Sequence, residues 1–143
     1  MTDERIRDLL LRTRRIAVVG ASDRANRPSN GVFGFLRDRG YDVVPVNPAL
    51  QGRAVHGIAS VATLAEACPL DMVDIFRRSA EAGAVVDEAI ALGARSVWMQ
   101  LGVIDEAAAA RARAAGLAVV MDHCPAIEWR RLSMPARVPH DTP

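Results

Sequence analysis

Short runs rich in β-branched residues recur along this chain and alternate with segments of helical periodicity. The runs show little polar alternation, as expected for strands of a parallel sheet that helices cover on both faces. They occupy residues 16–20, 42–48, 72–76, 96–100 and 117–121, with a shorter sixth candidate at residues 55–57. Such runs at spacings of roughly 20 to 25 residues are typical of right-handed βαβ units. The pattern predicts an α/β fold: a Rossmann-like three-layer domain with a doubly wound parallel sheet of five to six strands.

Helices are predicted between the strands. A charged leader, residues 2–13, has the spacing of an amphipathic helix that lies on the domain. After the first strand, Val32, Phe35 and Leu36 share one face of a helix that ends near Gly40. Further helices are predicted at residues 61–67, 82–90, 105–115 and 127–132.

The length and composition of the chain limit the number of domains it can form and the kinds of partner it can have. The 143 residues suit one domain, with a core at about 14–130 and a flexible tail at 133–143. A net charge of +1 gives no general attraction to nucleic acid or membrane, and no stretch approaches the roughly 20 apolar residues of a membrane span. Cys68 and Cys124 suit neither a disulfide framework nor a metal site, so we expect a cytoplasmic protein without a metal. A homo-oligomer or a protein partner stays open.

The residues that leave the strands where strand order reverses are the first candidates for a ligand site. In an open α/β sheet, ligands bind beyond the carboxyl ends of the strands at that point. If the short run at residues 55–57 is counted as the third strand, the run at 72–76 is the fourth. For the strand order 3-2-1-4-5, the crevice then lies between the first and fourth strands. The first strand leads into Gly20, Ala21 and Ser22, and the fourth leads into Arg77 and Arg78. Glycine lets the backbone approach a pyrophosphate, and free amides at a helix N-terminus favour an anion. We therefore expect phosphate binding at this turn.

Three arginines are expected to flank the crevice. Arg27 precedes the second helix, and Arg77 and Arg78 follow the fourth strand. Guanidinium groups bind phosphates bidentately, although an isolated arginine is more often a solvated surface residue. Arg77 is favoured over Arg78, because successive residues of an extended segment face opposite sides.

The fingerprint of nicotinamide dinucleotide enzymes is incomplete here. The pattern GxGxxG would need two further glycines, where the chain has Ser22 and Ala25. The second strand ends in Asn47 and Pro48, where such enzymes usually carry an acid for the ribose. Both departures weigh against NAD.

Several short motifs occur together in a characteristic order. They are Gly20-Ala21-Ser22, Arg27-Pro28-Ser29, Gly40-Tyr41, Pro45-Val46-Asn47-Pro48, Ile75-Phe76-Arg77-Arg78, Gln100-Leu101-Gly102 and Met121-Asp122-His123-Cys124. On these residues the chain resembles, from about residue 14 to residue 130, the small bacterial CoA-binding proteins of the YccU type. These proteins are similar to the CoA-binding domain of the succinyl-CoA synthetase α subunit.

The resemblance implies a domain that holds coenzyme A (CoA) or an acyl-CoA. Phosphates would lie at residues 20–22, the adenosine end along residues 46–48, and part of the pocket wall at residues 100–102. The implied cofactor contacts are Gly20, Ala21, Ser22, Arg27, Val46, Asn47, Pro48, Phe76, Arg77, Arg78, Gln100 and Gly102. One departure is His123, where related chains often carry arginine, so that a positive charge there depends on pH.

Cys124 lies beside His123 in the sequence, and a cysteine next to a histidine suggests a nucleophilic thiol. Neighbouring side chains in an extended segment point to opposite faces, so a catalytic dyad is disfavoured. Cys124 could instead reach the CoA thiol and form a reversible mixed disulfide. The succinyl-CoA synthetase reaction uses a phosphohistidine in a further domain, and a fold alone implies no such activity. We therefore predict a non-catalytic CoA carrier, sensor or regulator, with an NAD(P)-linked oxidoreductase or a subunit of an acyl-CoA ligase as alternatives.

Overall fold

Strands and helices alternate through residues 1–135, which are the residues that the computed structural model describes. The helices are α1 (Asp3–Arg12), α2 (Pro28–Asp38), α3 (Ser79–Ala91), α4 (Glu106–Ala114) and α5 (Pro125–Arg131). The strands are β1 (Arg15–Val19), β2 (Asp42–Val46), β3 (Ala54–Val55), β4 (Ile58–Ala59), β5 (Met72–Ile75), β6 (Ser96–Met99) and β7 (Ala118–Val120). Short 3₁₀ turns lie at Pro48–Leu50 and Ala65–Ala67.

Five of the strands form a parallel sheet in the order β2-β1-β5-β6-β7. In the centre of this sheet, Val18 of β1 lies between Pro45 of β2 and Asp74 of β5. The predicted Rossmann-like fold with a doubly wound parallel sheet is therefore confirmed.

Alternate residues of each strand supply two hydrophobic cores. Ile16 and Val18 point to the sheet face that α1, α2 and α5 cover, whereas Ala17 and Val19 point to the face that α3 and α4 cover. Trp98 of β6 is completely buried on the first face. Full burial of a large apolar side chain stabilises a fold by about 1.5 to 3 kcal/mol, so both helical layers are held firmly on the sheet.

The predicted short strand at residues 55–57 is wrong as a member of the sheet. β3 and β4 instead form a separate antiparallel hairpin around these residues. The place beside β2 is taken by Val61, which forms an isolated parallel bridge with Val46.

The predicted helix at residues 61–67 is also wrong, since only the 3₁₀ turn Ala65–Ala67 forms there. The Val61 N–H donates to the Pro45 carbonyl, and the Val61 carbonyl accepts from the Asn47 N–H, each at 2.9 Å. This extended pairing holds Val61 out of a helix, and too few residues follow before Pro69 for a longer one.

Phe33, and not the predicted Phe35, is the aromatic core residue of α2. Phe33 is fully buried together with Leu36. Phe35 is half-buried, and the guanidinium groups of Arg39 and Arg130 lie 4.2 and 4.7 Å from its ring centroid. An apolar stripe on a helix is wide enough to accept either position, so periodicity alone did not distinguish them.

The first and last helices pack on the same face of the sheet and contact each other. Arg131 of α5 donates to both carboxylate oxygens of Asp3, at 2.8 and 3.0 Å. Met134 falls within the tail predicted at residues 133–143, yet it is buried and its N–H donates to the Trp129 carbonyl. Residues 136–143 of that tail lie outside the described residues. Across residues 1–135, no helix has both the length and the apolar character needed to span a membrane.

Candidate functional site

A cleft opens at the carboxyl ends of β1 and β5. β1 leads to α2 on one face of the sheet and β5 leads to α3 on the other, so strand order reverses here as predicted. The cleft has a volume of about 720 Å³, within the range of small-molecule sites. The predicted site residues that line it are Gly20, Ser22, Arg27, Asn47, Phe76, Arg77, Gln100 and Cys124.

Gly20 allows β1 and β5 to approach each other closely beneath the cleft. Its φ is +86°, and a Cβ at this position would lie 2.0 Å from the Phe76 carbonyl oxygen. The Gly20 N–H donates to the Val46 carbonyl at 2.9 Å, and the Phe76 N–H donates to the Val19 carbonyl at 2.8 Å. Glycine is therefore required here by the fold itself, in addition to any role toward a ligand.

Two asparagine side chains hold the turn that follows β1. Nδ2 of Asn47 donates to the Ala21 carbonyl and Nδ2 of Asn30 donates to the Ser22 carbonyl, each at 3.0 Å. Side-chain amides thus hold both carbonyl groups of this turn, which lacks the additional glycines of the dinucleotide fingerprint.

The end of the cleft near this turn is cationic. Arg24, Arg27 and Arg77 line it, and none of the described lining residues carries a carboxylate. Nearby Asp23 is paired with Arg53 at 3.0 Å, and this hydrogen bond lowers the pKa of Asp23. None of these three arginines forms an ion pair within residues 1–135, and their guanidinium groups favour a ligand with several negative charges.

Five predicted site residues are not part of the cleft lining: Ala21, Val46, Pro48, Arg78 and Gly102. Val46 and Pro48 line a smaller neighbouring cavity of about 230 Å³, which Arg77 also lines. The Arg78 side chain is 86% exposed and donates to Glu81 at 2.6 Å. Arg77 lines the cleft while Arg78 points to solvent, which is the arrangement that the alternation of an extended segment predicts.

The loop that carries Gln100 and Gly102 is braced from two sides. The Gly102 N–H donates to Oδ1 of Asp122 at 2.7 Å, and the Gly102 carbonyl accepts from Oγ of Ser79 at 3.1 Å. These bonds connect the loop after β6 to the first residue of α3 and to the loop after β7. Gly102 therefore fixes the position of the loop that carries Gln100.

Gln100 contacts a completely buried carboxyl group, that of Asp74. With its amide oriented so that the nitrogen faces Asp74, Gln100 donates to Oδ1 at 2.9 Å and to Oδ2 at 3.3 Å. Burial raises the pKa of the Asp74 carboxyl well above its ordinary value. Asp74 was not predictable as a site residue, because the sequence pattern of one acid inside an apolar strand is the same whether the acid faces solvent or the protein interior.

The other end of the cleft is apolar and includes residues that the sequence analysis did not single out. It is lined by Val32, Leu101, Val103, Cys124 and Ile127. Leu101 and Ile127 are 56% and 49% exposed. Most of these residues follow β6 and β7, whereas the lining arginines follow β1 and β5. The cleft therefore changes from cationic to apolar across the edge of the sheet.

His123 is engaged away from Cys124. Its Nδ1 lies 2.8 Å from the Met121 carbonyl oxygen, and its Nε2 lies 3.5 Å from Oε1 of buried Glu128. Within residues 1–135, no hydrogen bond joins the His123 ring to the Cys124 thiol. The structure does not assemble a thiol–imidazole dyad.

The fold and the cleft define a class: a Rossmann-like α/β protein with a cleft at the switch point of a parallel sheet. Comparison with known proteins narrows this class. The family model of the CoA binding domain matches residues 14–130, so the chain belongs to the CoA-binding domain family. The resemblance noted from the sequence motifs is thereby confirmed.

The chain is also similar to a curated protein and to solved structures over most of its length. The chain is 38% identical over 120 residues to the uncharacterized protein YneT of Bacillus subtilis, covering 83% of this chain and 87% of YneT. A hypothetical protein from Pyrococcus horikoshii OT3 is 36% identical, with a TM-score of 0.85 over 93% of each chain. The cell-free ID.343 protein of Thermus thermophilus is 36% identical, with a TM-score of 0.87 over 92% of this chain and 99% of that chain.

Proposed function

We propose that this protein binds coenzyme A, free or acylated, in the cleft between β1 and β5. The observation that carries the proposal is the cationic end of the cleft beside the Gly20 turn, in a chain of the CoA-binding domain family. CoA joins a cluster of phosphates to a long pantetheine arm. A cleft that is cationic at one end and apolar at the other matches both parts of such a ligand.

The phosphates are assigned to the turn at Gly20 and Ser22, with Arg27 and Arg77 as cationic partners. Ala21 is buried, so it contributes through its backbone. Hydrogen bonds between guanidinium and phosphate groups are charge-assisted, and each contributes about 1.5 to 3 kcal/mol. These residues therefore supply most of the affinity in this proposal.

The adenosine end is assigned to the carboxyl end of β2. Asn47 lines the cleft and Pro48 lines the small cavity beside it. Val46 is 3% exposed, so its side chain offers almost no surface to a ligand. The contacts here come mainly from Asn47 and Pro48.

The pantetheine arm is assigned to the path past Phe76 and Gln100 toward the apolar end. Cys124 lies at that end and is buried. A thiol carried by the arm would therefore arrive close to the Cys124 sulfur.

We also propose that the protein holds CoA without turnover, as a carrier, sensor or regulator. Cys124 is the nucleophile at the apolar end, and no histidine is among the described residues that line the cleft. A thiol that lacks a neighbouring base is poorly activated for acyl transfer, which supports binding over catalysis.

The proposal is tested by thermal unfolding with CoA, dephospho-CoA, acetyl-CoA, NAD and ATP. A ligand that binds only the folded state stabilises it by about 2.7 kcal/mol at a hundredfold excess over its Kd. We expect the CoA species to raise the Tm by several degrees and NAD to leave it unchanged. If none of the CoA species changes the Tm, the proposal is contradicted. If NAD raises the Tm more than the CoA species do, the oxidoreductase alternative is supported instead.

A further inference from the structure

The two carbonyl groups of the turn after Gly20 both point to asparagine side chains. In a trans peptide, the carbonyl of one residue and the N–H of the next point in opposite directions. Because Asn47 holds the Ala21 carbonyl, the N–H of Ser22 is directed to the opposite side of the turn. Among residues 1–135, no acceptor is hydrogen-bonded to this N–H. Ser22 is also one of the residues that line the cleft.

Asn30 fixes the next peptide of the turn without lining the cleft itself. Its side-chain nitrogen donates to the Ser22 carbonyl at 3.0 Å, and the residue is 9% exposed. Its side-chain oxygen Oδ1 and its carbonyl oxygen both lie 3.0 Å from Nε2 of His56. Since both neighbours of this nitrogen are acceptors, His56 donates from Nε2 and fixes the orientation of the Asn30 amide.

His56 reaches Asn30 from the tip of the β3–β4 hairpin. Its φ is +48°, a conformation that is uncommon for a residue with a side chain. Its ring stacks on Phe33 with centroids 6.0 Å apart and planes inclined by 14°. A Cβ on Gly34 would lie 2.8 Å from Cε1 of His56, so the helix leaves space for the ring. The hairpin and α2 together position the Nε2–H group of His56 against Asn30.

We infer that Asn30, braced by His56, is a positioning residue that holds the Ser22 turn so that backbone N–H groups face a phosphate or diphosphate ester in the cleft. The inference rests on the proposed function and deepens it, since it assigns anion binding to oriented peptide groups as well as to arginines. Fixed backbone donors near a helix N-terminus bind anions without ordering a long side chain. Releasing the Ser22 carbonyl would free the peptide between Ser22 and Asp23. The preceding peptide, which carries the Ser22 N–H and is held by Asn47, would then lose its fixed neighbour in the turn.

The test is an NMR titration of the full-length ¹⁵N-labelled protein with CoA and, separately, with inorganic diphosphate. In the wild type we expect the Ser22 amide resonance to shift with both anions. We expect Asn30→Ala to bind both about tenfold more weakly, because it removes the hydrogen bond to the Ser22 carbonyl. We expect His56→Ala to bind both about threefold more weakly, because it removes only the support of the Asn30 amide. Asn26→Ala is the matched control, because Asn26 is exposed and outside the cleft lining, and its affinity should stay within about twofold of wild type.

The outcomes separate this inference from the proposed function. If the protein binds diphosphate but not CoA, and diphosphate binding weakens in Asn30→Ala, the proposed function is refuted and the positioning role is supported. CoA binding with unchanged affinity in Asn30→Ala, or with an unmoved Ser22 amide, would overturn the positioning role alone. If Asn30→Ala does not fold, His56→Ala decides, and a folded His56→Ala variant with wild-type affinity overturns the inference. Unfolding midpoints of the ligand-free variants show that any loss of affinity is not a loss of folded protein.

Discussion

Gln100 lies over Asp74, with its amide nitrogen 2.9 Å from Oδ1 of a carboxyl group that has no exposed surface. This contact joins the floor of the cleft to the centre of the sheet. Burial disfavours the charged form of the carboxyl, and the resulting rise in its pKa keeps the proton on the folded protein at pH values where the unfolded chain has released it.

We expect Asp74→Asn to reduce the dependence of stability on pH. The stabilising contribution of a carboxyl with a raised folded-state pKa is fully present below its unfolded-state pKa and is lost as pH rises through the folded-state pKa. Over that window the wild type should lose up to about 1.4 kcal/mol per pH unit relative to Asp74→Asn, whose side chain stays neutral. Urea unfolding at a series of pH values above about 4 measures this difference.

The control for this comparison is Asp38→Asn, which removes an acid from the exposed end of α2. Its stability should follow the pH dependence of the wild type. A constant difference between Asp74→Asn and the wild type across the pH series would show that Asp74 does not retain its proton on folding.

We expect Gly20→Ala to destabilise the protein by about 2 to 4 kcal/mol, even without ligand. The substitution adds the strain of a positive φ and a steric overlap with the Phe76 carbonyl. Gly52→Ala is the matched control, because Gly52 also has a positive φ but no atom lies within 4 Å of its added Cβ. Its loss should be about 1 kcal/mol. Equal losses of unfolding free energy in the two variants, measured by urea unfolding, would mean that small backbone shifts remove the overlap between the added Cβ and the Phe76 carbonyl.

We expect Arg77→Ala to weaken CoA binding by about tenfold to a hundredfold, the effect of losing a charge-assisted hydrogen bond. Arg78→Ala should remain within about twofold of wild type, because its side chain is solvated and paired with Glu81. Isothermal titration calorimetry at two salt concentrations measures both, and the salt dependence should decrease only in Arg77→Ala. Equal effects of the two variants would argue against the proposed placement of the phosphates.

We expect CoA disulfide to modify the wild type at Cys124. In the exchange, the Cys124 thiolate attacks one sulfur of the CoA disulfide, a mixed disulfide forms, and one CoA leaves as its thiolate. Intact-mass spectrometry should show one reducible CoA adduct in the wild type and in Cys68→Ser, and none in Cys124→Ser. Cys68 is exposed and free, so an adduct at Cys68 alone would show ordinary surface reactivity and contradict the proposed path of the pantetheine arm.

The parallel sheet and its switch point were predictable because they depend on local patterns. Strands buried on both faces require continuous apolar runs, and the residues that leave adjacent strands, such as Gly20 and Arg77, must meet at one edge. The different orientations of Arg77 and Arg78 follow from the same alternation.

Contacts between distant segments were not predictable in this way. Val61 became part of the sheet through bonds with Pro45 and Asn47, and these bonds overrode a local pattern that favoured a helix. His56 and Asn30 are 26 residues apart, and neither lies in a motif. Their contact arises only when a hairpin folds back over α2, so no spacing along the chain could indicate it.

The two edges of the sheet affect how this protein meets copies of itself. At the β2 edge, Pro45 has no N–H, and its carbonyl is already occupied by Val61 at 2.9 Å. At the opposite edge, β7 contains only three residues. Short or blocked edges offer little template for strand addition by another chain. Both edges of the sheet therefore offer few backbone groups for pairing with a strand of another chain.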